Sequence, residues 1–343
     1  MGAAISILLI SFLLGPFLIR FLTRLKLGQP LRGKEEVHKL ADLHESKKGT
    51  PTMGGVMILV NLFLACLMWG DIGNQYLWVA LVPTLLLGGL GFIDDYAKIR
   101  QKKSDGLNSR QKLIGQMVIG LGVAIYLLQH PETQASATKL QIPFLKEDMF
   151  VVETGWYFVV PFFVLIIVGS SNAVNLTDGL DGLAAGCVIP VVGVLAVFAY
   201  TSSRTDASEY LLLTYLPGAE ELVIFCAALG ASALGFLWYN CHPARMFMGD
   251  TGSLALGGAI AVVSICVNQE LLLVIIGGVF VMEAVSVIMQ VGCYKITGKR
   301  IFAMSPIHHH FELKGWRETT VVTRFWILGI IFALMGLASL KLR

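Results

Sequence analysis

Acidic side chains stand at the ends of apolar segments, where a negative charge is unfavourable unless something compensates it. Asp94 and Asp95 end a long apolar run, and Asp250 opens another in Gly249-Asp250-Thr251-Gly252-Ser253. An aspartate at the carboxyl end of a helix opposes the helix dipole, so this pair calls for a metal ion or a cationic partner. Such carboxylates suit magnesium or a general base, although a solvated helix end or, for Asp250, a simple helix cap also explains them.

Basic and hydroxyl side chains accompany these acids. Segment 47–55 contains two lysines, two threonines and a glycine-rich entry to a helix, where exposed backbone N–H groups attract anions. Lys98, Arg110 and Lys112 flank the aspartate pair and could hold a phosphate or face lipid headgroups. Membrane topology alone would also explain these positive charges.

Segment 172–182 is polar but has no lysine or arginine, so topology does not account for it. Asn175, Asp178 and Asp181 are spaced by three, and they would share a face if the segment is helical. Its glycines allow a turn or the close approach of a ligand. The segment therefore favours a binding role over a bland loop.

Three consecutive histidines occupy positions 308–310. On a helix they point about 100° apart, so one or two of them can face a given site. Zinc is disfavoured because no cysteine lies nearby and no His-x-x-x-His spacing occurs, whereas imidazoles beside a phosphate can donate hydrogen bonds or move protons. Glu283 lies inside an apolar run with Ser286 and Gln290 on the same helical face, either lining a groove or hydrogen bonding between helices.

The elements that must position these residues are membrane-spanning helices. The 343 residues are 55% hydrophobic and only 14% charged, with a mean hydropathy of +0.72, which excludes a soluble globular enzyme, a disordered chain and a secreted disulfide scaffold. A spanning helix needs about 20 apolar residues. Ten runs qualify, at 3–23, 53–70, 76–93, 112–129, 157–174, 182–200, 219–239, 252–267, 271–293 and 322–340. We therefore expect an all-α integral membrane protein, with residues 1–343 forming one polytopic domain.

Basic residues predict the orientation of this bundle. The loops on one side hold 20 lysines and arginines and those on the other hold 5, which places the first side in the cytoplasm and both termini outside. On the outer side, 139–144 and 149–153 predict a small β-hairpin. All the polar clusters fall on the cytoplasmic side, where they can converge on one site. Without a Walker A motif, they favour magnesium-assisted phosphoryl transfer between a cytosolic substrate and a lipid.

The same segments resemble a known family. Segments 49–55, 94–95, 172–182, 247–253 and 306–312 are similar, in order along the whole chain, to the signatures of polyprenyl-phosphate N-acetylhexosamine-1-phosphate transferases. Pro306-Ile307-His308-His309-His310-Phe311-Glu312 resembles the peptidoglycan branch, the phospho-MurNAc-pentapeptide translocases. The resemblance implies transfer of phospho-MurNAc-pentapeptide from UDP-MurNAc-pentapeptide to undecaprenyl phosphate, giving lipid I and UMP. It further implies Mg²⁺, a bacterial inner-membrane location with a cytoplasmic active site, a homodimer and no nucleic-acid partner.

The resemblance also implies roles for individual residues. Asp250 would be the main magnesium ligand, Asp94 and Asp95 would handle the lipid phosphate or the metal, one of them as a base, and His308 would be the catalytic-site histidine. Lys98 and Lys112 would hold phosphate. The substrate pocket would be lined by Lys47, Thr52, Asn175, Asp178, Asp181, Asn240, Phe247, Gln290, His309 and His310, with Phe247 against uracil.

Two alternatives stay open at this point. A sister transferase would use UDP-GlcNAc or another UDP-sugar, and the histidine segment argues against it. A transporter or flippase for an anionic lipid or nucleotide would need a polar path to the outer face, but the outer half of the predicted bundle is apolar apart from Glu283. The sequence also leaves open whether the lipid phosphate attacks directly or through a phosphorylated aspartate.

Overall fold

The computed structural model describes residues 1–24, 49–101, 106–145 and 151–342, and most of them are helical. We number the helices in chain order. They are α1 (Gly2–Arg24), α2 (Gly55–Trp69), α3 (Gln75–Gln101), α4 (Ser109–Gln129), α5 (Pro131–Ala137), α6 (Trp156–Thr177), α7 (Leu183–Ser202), α8 (Thr205–Tyr210), α9 (Glu221–Asn240), α10 (Gly249–Cys266), α11 (Glu270–Ile276), α12 (Gly278–Thr297), α13 (Ile307–Leu313) and α14 (Glu318–Ala338).

The expected membrane spans are confirmed, with one difference in detail. Among the described residues, nine helices are long and apolar enough to cross a membrane, and the shorter apolar helix α2 lies at the remaining predicted run, 53–70. The run 271–293 is not one helix, because it breaks at Gly277 between α11 and α12. The mean hydropathy of the run does not reveal this break. The two glycines allow the helix to end and restart, but they do not make the run polar. The chain is therefore a multi-pass all-α membrane protein.

The predicted hairpin is also confirmed. Strand β1 (Lys139–Gln141) pairs antiparallel with β2 (Val151–Glu153), and Leu140 lies opposite Val152. The Asn268 side chain, just after α10, donates hydrogen bonds to the carbonyls of Ser136 and Lys139, at 2.8 and 2.7 Å. These bonds attach the hairpin to the end of the bundle opposite Asp250.

Helix α10 lies at the centre of the bundle. Every residue from Thr251 to Cys266 is buried, and the helix packs against α2, α3 and α6. The neighbouring helices approach α10 closely because small residues line the crossings, as is common where membrane helices pack together. A side chain at Gly91 of α3 would clash with the Asp250 carbonyl, and one at Gly55 of α2 would clash with the Gly252 backbone. These crossings bring the end of α3 against the start of α10.

Candidate active site

Three carboxylates meet where α3 ends and α10 begins. Oxygen atoms of Asp94, Asp95 and Asp250 lie within 4.8 Å of one another. Asp94 and Asp95 are almost completely buried, with 1% and 3% of their surface exposed. The structure therefore brings together two acidic segments that are more than 150 residues apart in the chain.

Two lysines face these carboxylates. The Lys98 ammonium lies 2.7 Å from Asp94 Oδ2 and 3.2 Å from Asp250 Oδ2. Lys112 Nζ lies 3.2 Å from Asp94 Oδ2 and also contacts Asp250 Oδ2. Lys98 stands one helical turn after Asp94, the spacing that brings side chains together on a helix. Three acids and two cations at one place leave a single excess negative charge for a further cation.

Asp95 has a different environment from Asp94. Its Oδ1 accepts a hydrogen bond from the Asp250 N–H at 3.1 Å, and its Oδ2 accepts from the Thr251 N–H at 2.9 Å and the Thr251 hydroxyl at 2.7 Å. The Asp95 carboxylate thus satisfies N–H groups of the first turn of α10, which otherwise have no partner. The sequence suggested that Asp250 could itself be the cap. Instead α10 begins at Gly249, Asp250 lies in its first turn, and a side chain from another helix caps it.

Gly249 allows this close approach. Its φ is +72°, and a Cβ there would lie 2.5 Å from Asp95 Oδ2 and 3.0 Å from the Thr52 hydroxyl. The backbone of Phe247 forms two hydrogen bonds with the segment that contains Thr52. Its N–H donates to the Pro51 carbonyl, and its carbonyl accepts from the Gly54 N–H, both at 2.8 Å. Thr52 and Phe247 therefore lie on two segments that border the acidic cluster.

Helix α6 adds Asn175 and Asp178. The Asn175 amide donates to Asp250 Oδ1 at 2.9 Å and to the Ser253 hydroxyl at 2.8 Å. Asp178 follows the last residue of α6, and burial, together with the charges of Asp250 and Asp95, raises its pKa well above the usual range. A helical face shared by Asn175, Asp178 and Asp181 was expected if the segment was helical. That condition is not met, because the helix ends at Thr177 and the chain turns through 178–182.

Asp181 instead joins three segments. Its Oδ2 accepts from the Ala244 N–H at 3.0 Å and lies 3.2 Å from His242 Nδ1, while its own N–H donates to Glu318 Oε1 at 2.8 Å. His242 Nδ1 also lies 3.5 Å from Glu318 Oε2. Asn240 supports the same junction, since its side chain accepts from the Gly182 N–H and donates to the Met246 carbonyl.

The three histidines have different polar partners, although the rings of His308 and His309 lie close together, with centroids 4.1 Å apart. His308 is completely buried and its Nδ1 lies 3.1 Å from Glu283 Oε1. His309 Nδ1 lies 2.7 Å from Glu312 Oε2, whereas His310 Nδ1 accepts from the Ala303 N–H at 3.0 Å. A side chain at Gly179 would clash with His308 Nε2, so α13 lies directly against the 178–182 turn.

Gln290 is occupied by the chain itself. Its Oε1 accepts from the Ile301 and Phe302 N–H groups, at 3.0 and 2.9 Å, and its Nε2 donates to the Phe302 carbonyl at 3.0 Å. The side chain thus holds the segment after α12, and a role in the substrate pocket stays a prediction. Lys47, another residue predicted to line that pocket, lies outside the described residues.

The chain has well-defined relatives. Residues 77–268 match glycosyl transferase family 4, and residues 47–59 match the phospho-N-acetylmuramoyl-pentapeptide-transferase signature 1. The phospho-N-acetylmuramoyl-pentapeptide-transferase of Methylacidiphilum infernorum (isolate V4) is 58% identical over 343 residues, which are 100% of this chain and 93% of that relative. The chain belongs to this transferase family. The resemblance read from the sequence is therefore confirmed.

The site of this family member fits a divalent cation. Asp94 and Asp250 offer carboxylate oxygens, the hard ligands that Mg²⁺ prefers, and ammonium groups already lie against them. The Asp95 oxygens are less available because three donors occupy them. Asp181, His242 and Glu318 form a second group whose ligand atoms lie within 4.8 Å, but its nitrogen ligand is less suited to magnesium.

Sequence reasoning assigned no role to two residues that the structure places beside Asp181. They are His242 and Glu318, which lie among other polar residues near helix ends and so do not stand out by type. Glu283 did stand out in the sequence, because an ionisable residue inside a membrane span is costly and usually functional. Its partner, His308, could not be deduced from spacing, since the two are on different helices.

Proposed function

We propose that this chain transfers phospho-MurNAc-pentapeptide from UDP-MurNAc-pentapeptide to undecaprenyl phosphate, forming lipid I and UMP. The observation that carries the proposal is the cluster of Asp94, Asp95 and Asp250 with Lys98 and Lys112, in a member of this transferase family. A pyrophosphate with its counter-cation needs both signs of charge at one place, and this cluster supplies them.

The proposed location is the bacterial inner membrane, with the cluster facing the cytoplasm and both termini outside. The excess of lysine and arginine on the loops that carry the cluster supports this orientation. A nucleotide sugar would enter from the cytosol, and the phosphate of the lipid acceptor would come from the bilayer. The cluster lies at helix ends, where both can reach it. We include a homodimer of single-domain chains and no nucleic-acid partner in the proposal.

The residues that hold phosphate oxygens in this proposal are Lys98 and Lys112. An oxygen of undecaprenyl phosphate forms a bond to the phosphorus that carries MurNAc, and the bond from that phosphorus to the UMP oxygen breaks. Asp94 is the better candidate for accepting a proton. The groups at its Oδ2 include two lysine ammonium groups, which would turn to substrate phosphates, whereas donors from α10 occupy both oxygens of Asp95. Asp95 instead orients the first turn of α10, which carries Asp250.

Asp250, with Asp94 beside it, would hold Mg²⁺. Bound there, the ion neutralises charge that develops on the transferred phosphate. The lysines next to these carboxylates would then turn toward substrate phosphates, and Asn175 would keep Asp250 oriented through its 2.9 Å hydrogen bond.

A pocket beside the cluster completes the proposal. His308 would be the catalytic-site histidine, and Phe247 would stack against uracil. The other proposed pocket residues are Lys47, Thr52, Asn175, Asp178, Asp181, Asn240, Gln290, His309 and His310. The pocket is supported by contacts of the 178–182 turn, which meets α13 on one side and segment 240–248 on the other.

The test is nucleotide release by purified protein supplied with undecaprenyl phosphate, Mg²⁺ and one of two donors. We expect UMP from UDP-MurNAc-pentapeptide alone, with loss of release after EDTA treatment and in Asp250→Ala. UMP from UDP-GlcNAc instead would assign the chain to a sister reaction. No UMP from either donor, in a lipid mixture that supports a known transferase, would reject the proposal.

A second measurement separates the two chemical routes. If an aspartate is phosphorylated first, the protein will exchange labelled UMP into UDP-MurNAc-pentapeptide without any lipid acceptor. If the lipid phosphate attacks directly, exchange will require the acceptor. Asp94→Asn should abolish the acceptor-free exchange if Asp94 is the nucleophile.

A further inference from the structure

We infer that Glu283 is a positioning residue for the proposed reaction, and that it acts by holding the His308 imidazole with a proton on Nδ1. Only the expected effect on kcat rests on the proposed function. The position of the proton on the His308 ring can be measured even if the protein shows no activity.

Both side chains are completely enclosed. Glu283 in α12 and His308 in α13 have 0% of their surface exposed, and Glu283 Oε1 lies 3.1 Å from His308 Nδ1. An isolated carboxylate or imidazole in such surroundings is strongly disfavoured, so each group needs a partner. The pair brings together an acceptor of hydrogen bonds and a ring nitrogen that can donate one.

Other polar groups nearby are already committed. The Ser286 hydroxyl donates to the Glu283 backbone carbonyl and not to its carboxylate. The neighbouring His309 has Glu312 as its partner. Within the described part of the chain, the polar atoms of these two side chains form no hydrogen bond. The two residues meet through the 3.1 Å contact between Glu283 Oε1 and His308 Nδ1, and on this contact the inference rests.

This pairing determines where the proton lies. A carboxylate accepts hydrogen bonds and cannot donate them, so the ring nitrogen that faces it must carry hydrogen. Nε2 then points to the other side, toward Gly179. Gly179 directly follows Asp178, whose surroundings include Asp250 and Asp95. Glu283 thus sets the orientation of a ring that lies between α12 and the turn bordering the acidic cluster.

The isosteric variant Glu283→Gln tests this arrangement. Its amide can donate an N–H to Nδ1, which stabilises the opposite tautomer with hydrogen on Nε2. An amide in place of the carboxylate behind a catalytic histidine has this effect in serine proteases. The shape of the side chain is unchanged, so the fold should be preserved.

The protein offers a matched control. Glu270 is also a buried glutamate, 3% exposed, and its Oε2 has no hydrogen-bond partner among the described residues. It lies in α11, the other half of the same broken span, on the side of the bundle away from Asp250. Glu270→Gln therefore repeats the chemical change without touching His308.

The first readout is ¹⁵N NMR of histidine-labelled full-length protein in lipid nanodiscs, with His308 identified by its absence in His308→Gln. We expect a protonated Nδ1 in the wild type and in Glu270→Gln, and an unprotonated Nδ1 in Glu283→Gln. A wild-type His308 with hydrogen on Nε2 alone would overturn the inference, whether or not the protein is active.

The second readout is UMP release. We expect kcat to fall about tenfold or more in Glu283→Gln while KM for the nucleotide changes less than about threefold, since the ring is misoriented and the binding groups remain. Glu270→Gln should retain wild-type kcat. Equal kcat in the two variants would overturn the positioning role, whereas an inactive wild type would reject only the proposed reaction.

Discussion

Replacing Asp95 by asparagine should separate the structural role of this carboxylate from that of its neighbour. In the wild type, Asp95 accepts three hydrogen bonds from Asp250 and Thr251 at the start of α10. Asparagine has one carbonyl oxygen. If that oxygen replaces Oδ2, it keeps both bonds from Thr251, but the amide group then faces the Asp250 N–H, and two donors meet.

The magnitude follows from these contacts. One hydrogen bond to a charged acceptor contributes about 1.5–3 kcal/mol, and the N–H left behind is buried without a partner. We therefore expect a loss of about 2 kcal/mol or more in Asp95→Asn. At roughly 2–4 °C per kcal/mol for a chain of this size, the melting temperature should fall by about 4–8 °C.

The assay can use the protein's own cysteines. Cys66, Cys187, Cys226 and Cys266 are buried, so a thiol-reactive fluorescent dye labels them only when the bundle opens. The other two cysteines, Cys241 and Cys293, are accessible in the folded protein and set the baseline of the signal. The matched control is Asp206→Asn, which removes an exposed carboxylate paired with Arg204 on the surface and should leave the melting temperature unchanged.

The neighbouring variant completes the comparison. Asp94→Asn weakens contacts with Lys98 and Lys112 but leaves the cap of α10 intact. We expect it to lose UMP release with a smaller change in melting temperature. The assignment of Asp95 to the cap is refuted if Asp95→Asn has the same melting temperature as the Asp206→Asn control. It is also refuted if Asp94→Asn has a lower melting temperature than Asp95→Asn.

Three further perturbations have defined outcomes. Gly249→Ala should lower both the melting temperature and UMP release, because φ is +72° and a Cβ would meet Asp95 Oδ2 at 2.5 Å; an unchanged variant would contradict the close approach. Lys112→Met removes a cation from the acidic cluster, so the protein should bind Mn²⁺ about tenfold more tightly by electron paramagnetic resonance while KM for the nucleotide rises; weaker Mn²⁺ binding would contradict this. Asp178→Asn should raise the melting temperature more at pH 8 than at pH 5. Because the pKa of Asp178 is raised in the folded protein, wild-type stability falls as the pH rises above the pKa of this group in the unfolded chain. A larger gain in melting temperature at pH 5 than at pH 8 would contradict this.

Much of the fold could be predicted because long apolar runs are strong signals. The ten runs and the outer hairpin follow from hydropathy and alternation, and the structure has helices and strands at these places. The break at Gly277 could not be predicted, since α11 and α12 are both apolar. The shared face expected for Asp178 and Asp181 failed because spacing by three is informative only while the helix continues, and α6 ends at Thr177.

The sequence predicted which residues belong to the candidate site better than it predicted which of them contact each other. Paired acids and histidines are rare in membrane chains, so Asp94, Asp250 and His308 stood out by type alone. Their partners depend on how distant helices pack. The cap that Asp95 provides spans 155 positions in the chain, and the contact of Glu283 with His308 joins α12 to α13. Local patterns carry no information about such pairs.

The central claim is the transfer of a phosphosugar to a lipid, and the fate of one phosphorus atom tests it most directly. UDP-MurNAc-pentapeptide would be labelled with ³²P in the phosphate next to the sugar and incubated with the protein, Mg²⁺ and undecaprenyl phosphate. We predict that the label enters the organic phase and that unlabelled UMP appears in equal amount, both lost in Asp250→Ala. Label left on the nucleotide as UDP would show transfer of the sugar alone. Label carried into sealed vesicles as intact nucleotide would show transport, and either result would contradict the account.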